Sequence, residues 1–520
     1  MSLARDVATV GTATLLSRLL GFIRDAGIAA VLGAGVLSDA FFAALQIPNL
    51  FRRLLAEGAL NAAFVPMWMR LREETGGPGA RRFGEQTLGT MLIVLGIAAL
   101  FCVLFAPFVV RLLAPGFQIS GPRFALAVEY VRLSVPYVAV AGIVAVAASV
   151  LNAEGRVGAA AFGLVVFNAV LVAAVAAVML SEAHASPRAG ALLSGAIVLA
   201  GLAQLVLVGA AMMRLPHPPF RPRFAPSPAV RHFFAQAVPG IVAGGVPQLK
   251  LMAGAMVASA SQSAVSWLYY ANRLYELPLG VVSIAISAVL VPRIAASVRA
   301  AQEEGVAAAQ SRAFEIALGL ALPAAAAFAL LAEPIAGGLF ERGAFGPRDT
   351  AAVAAALAAI SAGLPGHVLE KVLGAVSFAH EDTRTPMLAA LGGLTAAIAG
   401  AILMFPVYGH VGIAGAIAAS GWVGAGSLAV VLARRRWLRF DREAARRVPK
   451  IMAATLAMAA ALYGLRHAVE PWFAPGASGL WRLAALVLLV AAGLLVYGAV
   501  LQLFGVGSFR AFIAALRRRI

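Results

Sequence analysis

Long apolar runs recur along the whole chain, and they constrain the fold more than any other feature. Fourteen stretches, at 7–32, 38–68, 85–110, 124–151, 158–180, 190–213, 233–258, 266–292, 313–332, 351–377, 386–406, 411–433, 450–466 and 483–505, alternate with polar loops. A helix crosses a bilayer with about 17–25 apolar residues. The longer runs are accommodated by tilt or by extension beyond the bilayer. Hydrophobic residues are 62% of the 520 and charged residues 12%, against about 45–50% and about 25% in soluble chains. That stock supplies about fourteen or fifteen crossings. A soluble enzyme, a disordered chain and a disulfide scaffold are excluded. An outer-membrane barrel is disfavoured, because the runs are continuous and do not alternate with period two. The expected fold class is an all-α polytopic membrane protein with fourteen transmembrane helices.

Orientation follows from where the cations fall. Of the 41 Lys and Arg, 26 lie in one alternate set of loops, 7 in the other and 8 inside the spans. This places both termini in the cytoplasm. The same asymmetry accounts for the net charge of +18 and for the run Arg434–Lys450. Those cations read as juxtamembrane groups beside anionic lipid rather than a nucleic-acid site. Cys102 is the single cysteine and sits in an apolar run, so neither an intrachain disulfide nor a zinc site is expected. The first segment is interrupted by Thr9, Thr12, Thr14, Ser17 and Arg18 and lacks the clean apolar core of a cleavable signal peptide.

An internal repeat organises the spans. Pro107-Phe-Val-Val-Arg-Leu-Leu-Ala-Pro-Gly116-Phe117 resembles Pro334-Ile-Ala-Gly-Gly-Leu-Phe-Glu-Arg-Gly343-Ala-Phe345, at an offset of 227. Val65-Pro66 recurs as Val291-Pro292, and Glu154 as Glu381, at nearly the same offset. Six crossings per unit preserve orientation, so the halves are parallel repeats. The expected organisation is an N-lobe over 1–225 and a C-lobe over 226–440, two six-helix lobes around a central cavity. Two C-terminal helices follow over 441–520. Such a duplication serves transport by alternating access; a duplicated scaffold without transport is the alternative.

Eight cations fall inside the spans: Arg18, Arg24, Arg52, Arg53, Arg132, Lys250, Arg273 and Lys371. Each costs about 2.5–3.5 kcal/mol at a helix centre, so they face a wet cavity, pair with acids or snorkel. In the first span Arg18, Gly21 and Asp25 share a helical stripe, with Arg24 about 120° from Arg18. In the second, Asp39 lies near the outer surface, Arg53 and Glu57 are i,i+4, and Arg52 has no acid within a helical turn. In the eighth, Asn272 and Arg273 precede Glu276, an i,i+3 partner for the arginine. Arg132 has Glu129 one turn earlier and Lys371 has Glu370 beside it, so local pairing is expected there, and for Lys250 pairing or snorkelling. Arg18, Arg24, Arg52 and Arg273 are the candidate set for a phosphate-bearing ligand. A guanidinium is always charged and binds phosphate oxygens with two parallel hydrogen bonds.

Four blocks carry a specific resemblance: SRLLGFIRDAGIAAVLGAG from Ser17, SDAFFAALQIPNLFRRLLAEGALNAAFVP from Ser38, APGF at 114–117 and SWLYYANRLYELPLG at 266–280. They resemble MurJ/MviN, the lipid II flippases of bacterial peptidoglycan synthesis, within the multidrug/oligosaccharidyl-lipid/polysaccharide exporter superfamily. The resemblance covers nearly the whole chain. It implies a transporter of the bacterial inner membrane rather than an enzyme. It also implies a cationic cavity for the diphosphate and headgroup of lipid II, and a groove for the isoprenoid tail on the last two helices. Arg18, Arg24, Arg52 and Arg273 match the family's cavity arginines. Asp25, Asp39, Arg53, Glu57, Ser266, Asn272 and Glu276 are the supporting polar positions. Expected partners are lipid II, membrane lipids and other cell-wall synthesis proteins, with no nucleic acid. No cofactor is expected, and membrane potential is the expected driver. Some family members bind sodium through carboxylates on helices 7 and 11. Here 233–258 and 386–406 contain no Asp or Glu, so sodium coupling by that route is not expected.

The rival readings are an O-antigen flippase or drug antiporter of the same superfamily, a membrane enzyme, and a non-transporting scaffold. Several cavity arginines would repel cationic drugs. No HExxH, GxSxG or P-loop occurs. The seven histidines are scattered, and His380-Glu381-Asp382 reads as a loop closing a span.

Overall fold

The computed structural model describes residues 3–56, 59–225, 227–285, 294, 296, 300, 303–473 and 479–506. Among the described residues the regular structure is helical and there is no strand. The fourteen apolar stretches are helical over nearly all of their described length, with turns inside them at Phe105, at Val135–Pro136 and at Ala362–Gly363; the part of 266–292 beyond Ala285 lies almost wholly outside the described residues. Nine stretches among the described residues are long and apolar enough to cross a membrane. The chain is an all-α, multi-pass membrane protein.

The chain divides into two compact units, Met1–Ser266 with Arg342–Phe345, and Trp267–Glu341 with Gly346–Ile520. The first contains α1 (Leu3–Leu32), α2 (Val36–Ala56), α3 (Ala59–Leu104), α4 (Ala106–Leu113), α5 (Pro122–Ser134), α6 (Tyr137–Ala153), α7 (Val157–Met179), α8 (Pro187–Met212) and α9 (Pro228–Ala258). The 46 residues of α3 would be about 69 Å long as one rod, more than twice the hydrocarbon thickness. The helix breaks at Gly76, where φ is 73°, a left-handed conformation that glycine adopts without steric cost. Phe64 then stacks on Phe83 at 5.1 Å, so the two halves lie side by side. Phe233 meets both rings at 5.8 Å and fixes α9 against this hairpin. The short segment Arg342–Phe345 joins this unit because Ala344 N–H donates to the Ala30 carbonyl at the end of α1 (2.9 Å).

The helix α10 (Ala264–Ala285) starts in the first unit and continues into the second. There it is followed by α11 (Glu303–Phe340), α12 (Pro347–Ser361), α13 (Leu364–Ala379), α14 (Arg384–Arg434), α15 (Arg442–Val469) and α16 (Gly479–Leu503). The 51 residues of α14 turn back on themselves at Gly409, φ 56°. A Cβ placed on Gly400 would lie 2.9 Å from that of Ala416, so the halves are in direct contact. The segment between α14 and α15 is strapped to the start of α11. Gln310 donates to the Trp437 carbonyl and accepts from Arg439 N–H, while Ser311 accepts from Asp441 N–H.

The loop before α14 carries a charged latch. Asp382 accepts hydrogen bonds from the Thr385 hydroxyl and backbone and from Arg435. These contacts, the Thr385 hydroxyl first, hold its carboxyl down at about 2. A depressed folded-state value stabilises fully above the unfolded pKa, about 4, and the gain is lost as pH falls toward 2. Asp382→Asn is therefore expected to lower the melting temperature at pH 7, with the two chains converging toward pH 2, as thermal unfolding in detergent would measure.

Candidate functional site

In the first unit α1 packs closely on α7: a Cβ on Gly27 would come within 2.5 Å of Val175 Cγ1. This approach brings Arg24 within reach of Asn168, the one hydrogen-bonding side chain in the otherwise apolar α7. Arg24 Nη1 donates to Asn168 Oδ1 (3.0 Å), and its Nε and Nη2 donate to Asp25 Oδ1 (2.9 and 2.7 Å). Asn168 is itself fixed by donating to Ser17 O, Ser17 Oγ and Leu164 O. Asp25 is fully buried, and the Arg24 side chain retains 15% exposure. Three of the five guanidinium N–H groups are thus engaged within the protein. One N–H on each terminal nitrogen is left to meet a ligand.

Arg24 and Ile28 line a pocket with Asn49 and Arg52 of α2, Tyr137 of α6 and Phe167 of α7. The pocket is a narrow, partly open cleft with about 20 Å³ of room at its centre. Tyr137 and Phe167 are in ring contact at 5.3 Å and form an apolar wall. Two guanidiniums beside such a wall act on an anion with less dielectric screening than in water. The geometry suits a phosphate group: planar, permanently charged donors, preset by hydrogen bonds, with an apolar floor.

The other expected positions are distributed differently. Arg18, on α1 before Arg24, is half-buried, does not line this pocket, and pairs with no carboxylate among the described residues. Arg53 follows Arg52 on α2 and is half-buried. Glu57 lies outside the described residues, so its expected pairing with Arg53 does too. Arg273, in the second unit, has Nη1 3.6 Å from Glu276 Oε2, and Asn272 donates to Glu276 Oε1 (3.2 Å). Glu276 thus collects both neighbours.

Asp39 and Ser266 do not line the pocket; they bind each other. Asp39 is fully buried and accepts from Ser263 N–H (2.7 Å), Ser266 N–H (3.0 Å) and the Ser266 hydroxyl. These are the N-cap and third N–H groups of α10, which have no partner within the helix. The carboxylate therefore caps α10 from another helix, as a capping box does within one. Arg123 stands 3.5 Å from Asp39 and also donates to the Ser259 and Ser261 carbonyls. The APGF motif belongs to the same knot, with Gly116 N–H donating to Ser259 Oγ (2.8 Å).

Sequence reasoning missed Asn168. The available signal was its solitude: one amide in a 23-residue apolar helix must find partners inside the protein.

The family model described as Lipid II flippase MurJ matches residues 28–484. The chain belongs to the MurJ family. A MurJ-family relative in Rhizobium meliloti (strain 1021), named probable lipid II flippase MurJ, is 40% identical over 530 aligned positions, covering 100% of this chain and 96% of the relative. Among solved structures, lipid II flippase MurJ in an inward closed conformation superposes with a TM-score of 0.78 at 21% identity, covering 97% of this chain and 99% of that one. An inward-facing multidrug resistance MATE family transporter of the MOP superfamily gives 0.65 at 15% identity, covering 81% and 94%. The MurJ fold thus accounts for nearly the whole chain.

Proposed function

We propose that this chain is a lipid II flippase. It moves the lipid-linked peptidoglycan precursor from the cytoplasmic to the periplasmic leaflet of the bacterial inner membrane by alternating access, for cell-wall synthesis. The observation that carries the reading is the pairing of Arg24 and Arg52 in one half-buried pocket with apolar walls, in a chain of the MurJ family. A diphosphate cannot cross hydrocarbon unaided, and a guanidinium fork is the side chain best matched to it. Arg24 and Arg52 hold the diphosphate, with Arg18 on the same helix as Arg24 as an approach contact. Arg273, beside Glu276, is the second unit's candidate for the same role. The isoprenoid tail stays in lipid or against α15 and α16, the helices of 441–520, while the repeats over 1–225 and 226–440 reorient. No bond is made or broken.

The loop cations orient both termini to the cytoplasm. Moving about two negative charges outward then gains about 4–5 kcal/mol per 100 mV of membrane potential, which supplies the driving force. The helices that carry sodium carboxylates in some family members lack Asp and Glu here, so no sodium site is assigned. The test is conditional depletion of the protein in its host, followed by measurement of lipid II on the outer leaflet. Outer-leaflet lipid II should fall while the precursor accumulates inside. An unchanged outer pool, or a chemically altered lipid II, would overturn the reading.

A further inference from the structure

A second polar site lies within the membrane-spanning part of the second unit. His367 sits near the middle of the apolar stretch Pro347–Ala379, just after the break between α12 and α13. Its Nδ1 is 2.7 Å from the Tyr275 hydroxyl on α10 and 3.1 Å from the Gly363 carbonyl. Its Nε2 makes a long contact of 3.5 Å with Ser420 Oγ on α14. Ser420 donates its own proton to the Ile417 carbonyl (2.7 Å), so toward His367 it can only accept. One turn along α13 lies Glu370, close enough to act electrostatically on Tyr275.

The space for both side chains is built into α14. A Cβ on Gly421 would lie 2.7 Å from the His367 ring, and one on Gly424 would lie 2.6 Å from the Glu370 carboxyl carbon. A side chain at Gly421 would collide with the ring and backbone of His367, and one at Gly424 would press on the Glu370 carboxyl. An ionisable side chain at membrane depth is costly and calls for a functional account.

We propose that Tyr275, His367 and Glu370 form an intramembrane proton-binding site. The ligand is the proton itself, and the argument is that the hydrogen bonds accommodate both states of the ring. In the neutral ring Nε2–H donates to Ser420 and Nδ1 accepts from the Tyr275 hydroxyl. In the protonated ring Nε2–H is unchanged, while Nδ1–H donates to the second lone pair of the Gly363 carbonyl, the first being taken by His367 N–H. The Tyr275 hydroxyl is released, and Glu370 supplies the counter-charge. One proton is gained at Nδ1 and nothing else changes covalently.

The surroundings contain few competing charges. Among the described residues, α11 has no ionisable group between Glu315 and Glu333, and α12 has Arg348 and Asp349 only at its start. Between its terminal arginines α14 has only Tyr408 and His410, on α10 Arg273 pairs with Glu276, and on α13 Lys371 is exposed.

Proton binding here stands apart from the flippase reading; only its coupling to transport rests on that reading. The test is titration of the histidine ring nitrogens by NMR in the full-length protein, ¹⁵N-histidine labelled, in nanodiscs without lipid II. The His367 signal is assigned by its loss in His367→Gln or, if that variant does not fold, by substitution of the other six histidines. We expect Nδ1 of His367 to titrate between pH 5 and 9. Tyr275→Phe removes the donor to the neutral ring and should raise the midpoint by about one unit. Glu370→Gln removes the counter-charge and should lower it by at least that much. Opposite shifts are the signature of the relay. A His367 ring that keeps one protonation state over this range, or shifts of the same sign or none, would overturn the proposal.

Discussion

Arg24→Ala is expected to abolish flipping and to destabilise the first unit at the same time, and the two effects can be separated. Removing the guanidinium takes from the fully buried Asp25 its ion pair with Arg24, and from Asn168 Oδ1 its donor. Breaking one side of a buried pair costs about 3–5 kcal/mol, enough to lower the melting temperature by several degrees and reduce protein levels. The activity loss has a different origin. A charge-assisted hydrogen bond contributes about 1.5–3 kcal/mol, so losing two to a diphosphate slows flipping by roughly 10²- to 10⁴-fold. The double variant Arg24→Ala/Asp25→Asn removes the buried carboxylate charge that Arg24 balances. It should recover most of the stability and none of the flipping, as melting in detergent and vesicle transport would measure. Recovery of both would mean that Arg24 serves only to neutralise Asp25.

Asp39→Ala has the largest expected effect on stability alone. It leaves two N–H groups at the start of α10 without their acceptor, takes one of two partners from the Ser266 hydroxyl, which keeps Ser38 Oγ at 3.0 Å, and removes the charge facing Arg123. At about 1–3 kcal/mol for each of the two buried N–H groups left unsatisfied, the loss is about 2–6 kcal/mol. Asp39→Asn keeps a carbonyl oxygen in place and should lose less than half as much. Equal losses for the two variants would show that charge, rather than capping, is what Asp39 supplies.

These two sites also mark where the sequence was and was not legible. Apolar runs of crossing length are a strong helix signal, and every described one is helical over most of its length. Tyr137 and Leu364, and Val157 and Arg384, open helices 227 residues apart. The breaks inside the spans 124–151 and 351–377 were not legible, because an apolar run carries no record of a backbone kink. Pro136 in the first and Gly363 and Pro365 in the second were the signals there. The arginines announce themselves by their cost in a membrane, but their partners do not. Arg24 meets an amide 144 positions away because α1 packs on α7. Asp39 reads as a polar group near a span entrance, yet its partners lie 224 and 227 positions downstream. That separation is close to the offset of 227 between the matching sequence stretches.

The central claim is that the arginine pocket carries lipid II across the bilayer. Its most direct test uses vesicles containing only the purified chain, fluorescent lipid II in the inner leaflet and an imposed membrane potential. The quantity read is the rate at which label reaches an impermeant quencher outside. The account predicts transfer well above the rate in protein-free vesicles, and at least a tenfold loss with Arg52→Ala at unchanged melting temperature. Transfer no faster than in empty vesicles, or an Arg52→Ala rate equal to that of the parent chain, would contradict it.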